Sequence, residues 1–494
     1  MSLFVVSKTK IDVVRMKSLL ESSISKKLIK MALSEKGDGK FQIEKILDAY
    51  SDNKIPAYWR IRYYPIFKLL DIIRRSFNRT PEVFREEMKN ITIRKIFRNS
   101  LRSIDQFGLQ TPQTFADPIM IVWNYTNNCN LRCKHCYQDA GVTGHNRPKE
   151  LTTEERYKAV DILAKRDIPS LFFSGGEPLI EKDFFDVARY AKEKGFYMSI
   201  ATNGTLIDDE MAEKIADIGF GYVQVSIDHS DPKMHDKFRG VPGMWMRAVN
   251  GIKTLEKHGV TTCIAYTHTK LSHDDFPNML KLREKLNAYK IIVYNYIPVG
   301  RGDFDMDPTP EQREELWHWM YDQVDAGHHI IATTSPAFGA YCKMNQSSSI
   351  VLAHYADLKV KELGVIAEVI GGCGAGRAYA ALQPDGTLTP CVYMPYTNLG
   401  NIMTEDFDYL WNEHPIMKTL RDREHYACYD CPYQAVCGGC RARAYQYFGD
   451  FKAPDPECWY TKELYYDFMD AHRQGKEYHL PKDWKLKIKK SNVA

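Results

Sequence analysis

The sequence predicts an α/β protein: a partial (β/α)6, TIM-like barrel with an N-terminal helical region and a C-terminal loop-rich cysteine domain. Three observations carry this. Between Pro118 and about residue 335, six short apolar runs alternate with amphipathic stretches, the pattern of parallel strands and crossover helices. Residues 1–115 instead place apolar side chains three and four apart, as helices do. Beyond residue 335 the alternation stops and the chain becomes rich in Gly, Pro, Tyr and Cys.

In chain order, helical spacing covers Ile43–Ala49, Ile66–Phe77 and Pro81–Asn90 of region 1–115, and Gly108–Phe115 (GLQTPQTF) reads as a linker. The barrel, 116–335, opens with a strand in PIMIVWNYT. Thr152–Lys165 is a helix in which Thr152 and Glu155 form a capping box. SLFFSGG is a strand ending in a glycine turn, followed by a helix near Asp183–Glu193. FYMSIATNGT and YVQVSIDH, separated by a helix near Asp208–Ala216, are the third and fourth strands. TTCIAYTHT and IIVYNYIPVG complete the six. The third domain, 336–473, suits loops held by metal more than by a large core, and 474–494 is a polar, basic tail that suits partial disorder.

At 494 residues, 44% hydrophobic and 26% charged, the chain has the composition of a soluble multidomain protein. No apolar run approaches 18 residues, which argues against a spanning helix, and MSLFVVSKTKIDVVRMK lacks a secretory core. Ten of the twelve cysteines fall in two groups with metal-ligand spacing, so a cytoplasmic metalloprotein is expected. Charge is uneven. Residues 1–110 hold 23 Lys+Arg against 12 Asp+Glu, so this +11 stands ahead of a body at −7 within the overall +4. The basic, aromatic stretch 57–77 leaves three readings: a structural cap on the barrel, a membrane-surface contact making the protein peripheral to a membrane, or a peptide dock. Nucleic acid is not expected, because no recognised binding motif is present.

The first cysteine group, Cys129-Asn-Leu-Arg-Cys133-Lys-His-Cys136-Tyr137, follows the first strand. Three thiolates this close suit three corners of a cubane iron–sulfur cluster, leaving the fourth iron open to a small molecule. Structural zinc wants four closed ligands, and His135, between two of the cysteines, is a poor fourth. CxxxCxxC at this place resembles the signature of the radical S-adenosylmethionine (SAM) superfamily.

That resemblance extends along the chain. Ser174-Gly175-Gly176-Glu177-Pro178 looks like the family's motif for the methionyl amino group of SAM; glycines admit close backbone approach and a carboxylate meets an ammonium. Thr202-Asn203-Gly204 and Ser226-Ile227-Asp228 end the third and fourth strands where similar enzymes set polar groups against SAM. Arg239, in His235–Gly240, resembles the partner of the SAM carboxylate. Pro298, in Ile297–Arg301, resembles the adenine-side loop, and Tyr137 joins the cofactor-binding set. The resemblance implies a [4Fe–4S] cluster held by Cys129, Cys133 and Cys136. It also implies reductive cleavage of SAM to a 5′-deoxyadenosyl radical and abstraction of hydrogen from a C–H bond.

The second group, Cys373, Cys391, Cys428, Cys431, Cys437, Cys440 and Cys458, resembles the SPASM extension, which holds two auxiliary iron–sulfur clusters. Two residues separate Cys437 and Cys440 where that family usually has three. By the family pattern, Cys373, Cys391 and Cys440 serve one cluster, and Cys428, Cys431, Cys437 and Cys458 the other. Cys342 is the candidate to complete the first, against the bland role of a small buried hydrophobe; Cys263, within a strand, reads as core packing. A zinc module is the competing reading of the same spacings. By class frequency the substrate is a peptide or protein, with a lipid or tetrapyrrole as the alternative. Reduced ferredoxin or flavodoxin is the expected electron donor. A non-catalytic iron–sulfur or zinc scaffold, or an electron carrier, is the reading from another class.

Overall fold

The computed structural model describes residues 20, 22–34, 42–76, 79–141, 148–326, 330–345, 371–481, 484 and 486. The secretory-signal reading of residues 1–17 and most of the basic tail lie outside these residues.

Ten strands form one open sheet: β1 Met120–Asn124, β2 Ser170–Ser174, β3 Tyr197–Thr202, β4 Tyr222–Ser226, β5 Thr262–His268, β6 Lys290–Asn295, β7 Ile330–Thr333, β8 Tyr379–Leu382, β9 Thr387–Thr389 and β10 Gly400–Asn401. Their order is β10-β9-β8-β1-β2-β3-β4-β5-β6-β7, parallel from β8 to β7 and antiparallel across β8, β9 and β10. The six expected strands are its middle. Two neighbours were not anticipated: β7 extends one edge, and β8, from the cysteine-rich region, pairs with β1 so that Val122 faces both Phe172 and Ala381. Seventeen helices are described: α1 Ser23–Ala32, α2 Gln42–Ser51, α3 Ala57–Arg62, α4 Tyr64–Ser76, α5 Pro81–Glu87, α6 Ile91–Phe107, α7 Thr153–Ala164, α8 Phe184–Glu193, α9 Asp209–Ile218, α10 Pro232–Arg239, α11 Met244–Lys257, α12 Phe276–Lys285, α13 Pro310–Asp325, α14 Pro336–Met344, α15 Pro415–Arg421, α16 Arg441–Phe448 and α17 Lys462–Arg473. The expected capping box opens α7, with Thr152 and Glu155 each accepting from the other's backbone N–H.

The period-2 alternation of the strands divides the barrel. Ile121, Trp123, Leu171, Ile200, Val223, Val225, Ile264, Tyr266, Ile291 and Val293 join the helices in one continuous core. The intervening Met120, Val122, Phe172, Ala201, Tyr222, Gln224, Ile292 and Tyr294 line an internal cavity. One face holds the fold together and the other faces a ligand.

Helices α1 to α6 build a second core around Ile43, Ile46, Leu47, Ile66, Leu70, Phe84 and Leu101. Helix α6 fixes this bundle to the barrel at the turns that lead into β1, β2 and β3. There Arg98 pairs with Asp167, Arg102 with Asp117, Asn99 donates to the Asp117 carbonyl, and Lys95 donates to the Lys194 carbonyl. These turns lie at the strand ends opposite the cysteine loop, and none of the described residues before Met120 lines the cavity. The linker is clasped as well, since Phe115 donates to the Arg377 carbonyl and accepts from the Trp411 indole.

The cysteine-rich region is locked to the other sheet edge by Arg443, which is fully buried. Its guanidinium pairs with Asp455 and Glu457 and donates to the carbonyls of Asn295, Tyr296 and Thr334, at the C-terminal ends of β6 and β7.

Candidate active site

The cavity, about 240 Å³, opens at the C-terminal ends of the barrel strands, where this architecture places chemistry. Cys129, Cys133 and Cys136 all line it. Their loop is pinned from two sides. The backbone N–H groups of Arg132 and Lys134 donate to the carbonyls of Arg239 and Phe238 at the end of α10 (3.1 and 3.0 Å). Arg301 donates through its side chain to the carbonyls of Cys133 (3.0 Å) and Ala140 (2.7 Å), and through its backbone to that of Cys136 (3.0 Å). Gly300 lets the two segments meet: it has φ +67°, and a Cβ there would sit 2.3 Å from the Cys136 carbonyl oxygen.

The triad suits the cluster that its spacing implies. All three thiols are free, Cys133 and Cys136 raise the thiol of Cys129 beyond what burial does, and peptide N–H groups point at sulfur (Leu131 to Cys129 Sγ, 3.5 Å; Ala140 to Cys136 Sγ, 3.4 Å). Arg239 Nη1 stands 3.7 Å from Cys133 Sγ. Donors and a cation around crowded sulfur stabilise anionic sulfur, as a cluster's thiolates require. His135 is turned away from such a role, stacked on Phe238 (4.3 Å) with Nε2 3.8 Å from Asp228, and burial pushes it down to about 3, so it is neutral.

Ser174, Gly175 and Gly176 line the cavity, and the glycines have a packing reason as well. A Cβ on Gly176 would lie 2.1 Å from the Asn128 carbonyl oxygen, and one on Gly175 would lie 2.7 Å from that of Thr126. The turn after β2 therefore lies flat against the cysteine loop. Glu177 is buried outside the lining, with its carboxylate accepting from Asn203 N–H (2.7 Å), Thr202 Oγ1 (2.8 Å) and Leu179 N–H (3.2 Å). Burial raises it to about 7 against these donors. It holds Thr202 and Asn203, which do line the cavity, and Asn203 in turn donates to Asn130 of the cysteine loop (2.7 Å).

Ser226 and Arg239 line the cavity while Asp228 stands behind them, fully buried. Asp228 accepts from Arg239 Nε (2.7 Å) and Thr267 N–H (2.9 Å); burial acts against its charge, but Arg239 and these neighbours hold it down at about 2. Tyr137 lines the cavity, shares a hydrogen bond with Ser174 Oγ (2.9 Å) and faces Tyr393 (ring centroids 5.1 Å apart). Pro298 is buried without lining the cavity, although Ile297 and Arg301 of the same loop do line it.

Cys373, Cys391 and Cys440 line the far wall of the same cavity, and Cys373 raises the thiols of the other two. Cys428, Cys431, Cys437 and Cys458 stand outside it and act on one another: Cys458 and Cys428 raise Cys437, Cys431 and Cys428 raise Cys458, and Cys428 raises Cys431. Two groupings emerge. The two-residue gap between Cys437 and Cys440 is made of Gly438 and Gly439, at φ +66° and +65°, a double left-handed turn that sends neighbouring cysteines to different groups. Arg441, stacked on Tyr426 at 4.5 Å, stands between them, acted on by both Cys428 and Cys373.

The structure does not bring Cys342 to either group. It lies in α14 within the main apolar core, and its thiol is raised by burial alone, with no other thiol contributing. Cys263 packs with Ile292 inside the sheet. Among the described residues, no three His, Cys, Asp or Glu side chains gather about a single ion.

Sequence reasoning missed the aromatic wall of Phe172, Tyr222, Tyr294, Tyr379 and Tyr393. For the four that lie on strands the signal was their parity, opposite to that of the core positions; Tyr393 lies in a turn beyond β9, where no period applies.

An open α/β barrel whose mouth gathers three free thiols, a glycine turn and a second, cysteine-bearing wall suits an iron–sulfur protein that holds a cluster beside a bound ligand. Residues 123–283 match the Radical SAM superfamily, and 373–432 match the SPASM iron–sulfur cluster-binding domain. The chain is 34% identical to an AdoMet-dependent heme synthase of Methanosarcina barkeri over 69% of its own length and 97% of that protein's. It is 28% identical to the mycofactocin maturase MftC of Mycolicibacterium smegmatis, over 73% and 87%. Streptococcus suis SuiB bound to S-adenosylmethionine shares the fold (TM-score 0.59, 17% identity, 82% of this chain and 88% of that one). The chain therefore belongs to the radical SAM enzymes that carry a SPASM domain, whose cofactors are [4Fe–4S] clusters and SAM. Among the described residues no helix is long and apolar enough to cross a membrane.

Proposed function

We propose that this enzyme abstracts a hydrogen atom from a side chain of an iron porphyrin. The observation that carries the reading is 34% identity along almost the whole length of a heme synthase, joined to a cavity walled by flat aromatic rings. Rings such as Phe172, Tyr222, Tyr294 and Tyr393 offer stacking surface suited to a planar macrocycle.

In this reading Cys129, Cys133 and Cys136 hold the cluster that binds SAM. When bound, the cluster and SAM supply the 5′-deoxyadenosyl radical that removes the hydrogen atom. Ser174, Gly175, Gly176, Thr202, Asn203, Ser226 and Arg239 present the polar groups for SAM. Glu177 and Asp228 hold that set in place from behind, Glu177 through Thr202 and Asn203, Asp228 through Arg239. Cys373, Cys391 and Cys440 hold one auxiliary cluster facing the substrate, and Cys428, Cys431, Cys437 and Cys458 hold the second. Tyr137 and Tyr393 close the cavity between the two walls and keep water from the reacting C–H bond.

The similarity to a mycofactocin maturase favours a peptide as the second reading. The test is anaerobic turnover of the reconstituted enzyme with SAM and dithionite, offering an iron porphyrin with propionate side chains or a panel of peptides. A mass change in the porphyrin matched by 5′-deoxyadenosine is expected. An unchanged porphyrin beside a modified peptide overturns the first reading for the second.

A further inference from the structure

We propose that the outer face of the cysteine loop and helix α10 is the docking surface for a small acidic one-electron carrier protein, a proposal that rests on the cluster reading above. Arg132, Lys134, Lys233 and Lys237 are all exposed there. Lys134 and Lys237 line a recess of about 140 Å³ together with Met234 and Leu271, which are 42% and 53% exposed. Apolar side chains in the centre with cations around them is the plan of a transient, electrostatically steered interface.

The cations are available. Among the described residues, Lys134, Lys233 and Lys237 take part in no ion pair, whereas the acids of the same stretch are occupied. Asp228 is buried against Arg239, Asp231 caps α10 by accepting from Met234 N–H, and Asp236 accepts from the N–H groups of Gly243 and Trp245. Asp231, at the start of α10, and Asp274, beyond Leu271, are the exposed acids beside the patch. The face is also rigid, because the backbone bonds from Arg132 and Lys134 to the end of α10 fix its two halves together.

Its place gives it the role. Lys134 lies within the triad sequence between Cys133 and Cys136, so a partner seated on it approaches the cluster from outside while the cavity holds SAM and substrate. The step balances in electrons. The reduced carrier loses one electron and the cluster goes from the 2+ to the 1+ state. That electron then enters the sulfonium as its C5′–S bond breaks, giving methionine and the 5′-deoxyadenosyl radical. An acidic carrier complements the cations, and rim charges of this kind govern association rate and salt dependence.

The test compares anaerobic holoenzyme with its Lys233→Glu/Lys237→Glu variant, using purified acidic flavodoxin as the probe. Binding is read by biolayer interferometry at about 50 and about 300 mM salt. SAM cleavage is driven separately by reduced flavodoxin and by dithionite. We expect the variant to bind flavodoxin at least about tenfold more weakly at low salt, with the difference shrinking at high salt. Dithionite-driven cleavage should stay unchanged. The Lys233→Gln/Lys237→Gln variant, which removes charge without reversing it, should fall between, and Arg60→Glu/Arg62→Glu on α3 should match wild type. Equal affinity in all proteins, the same loss in the α3 control, or a patch that binds anionic vesicles and not flavodoxin would overturn the proposal.

Discussion

Replacing Arg443 by Met probes the joint between the barrel and the cysteine-rich region. Arg443 is fully buried and faces two carboxylates, Asp455 (3.3 Å) and Glu457, plus three carbonyls at 3.0–3.2 Å. Asp455 would keep its bond from Cys440 N–H (2.6 Å), and Glu457 its bonds from Asn295 Nδ2 (2.6 Å) and Ser335. Neither would keep a cation at ion-pair distance; Asp455 would feel only the more distant Arg441, and Glu457 only Arg313. Removing one partner of a buried pair costs about 3–5 kcal/mol, which corresponds to roughly a hundredfold to a few thousandfold in a local opening equilibrium. Hydrogen–deuterium exchange of peptides covering 293–296, 330–335 and 455–461 reads that opening directly. Exchange in these segments should accelerate by that factor while α7 and α8 are unaffected. Adding Asp455→Asn and Glu457→Gln to the Met variant should restore most of the protection, because the stranded charges are then gone. Less than about fivefold acceleration, or no recovery in the triple variant, would refute the assignment of Arg443 as the joint.

Cys342→Ala should leave iron and sulfide content unchanged and cost only about 1 kcal/mol of stability, the price of a small apolar void; loss of one cluster's iron would return Cys342 to the ligand set. His235, buried and held down at about 4 by desolvation and then by Arg239, stays neutral in the fold. The unfolded chain therefore binds a proton that the folded chain refuses between about pH 6.5 and 4, so stability is full above 6.5 and is lost as pH falls. His235→Gln should flatten this decline in urea midpoints; an unchanged slope would mean that other groups carry it.

The barrel was legible because parallel strands and crossover helices write two different periods into a sequence, and because the CxxxCxxC loop has to follow the first strand. Strand β7 escaped because IIAT is too short to show a period, and β8 escaped because its pairing with β1 joins residues more than 250 positions apart. Long-range pairing leaves no local pattern. The role of Glu177 was half legible. Its carboxylate was expected to face the ligand, yet in the structure it is turned into Asn203 and Thr202, a choice made by tertiary hydrogen bonds. The aromatic stretch 57–77 shows the same limit. Its Tyr63, Ile66, Leu69 and Leu70 are buried in the N-terminal core, while Tyr58, Ile61 and Tyr64 are exposed, a division that the composition alone does not reveal.

The most direct test of the account compares wild type with the Cys129→Ala/Cys133→Ala/Cys136→Ala variant, both reconstituted anaerobically. Iron and zinc are counted, and 5′-deoxyadenosine is measured after adding SAM and dithionite. The variant should lose one cluster's iron and all SAM cleavage while keeping the iron of the C-terminal cysteines. Equal cleavage by both proteins, or zinc in place of iron in wild type, would contradict it.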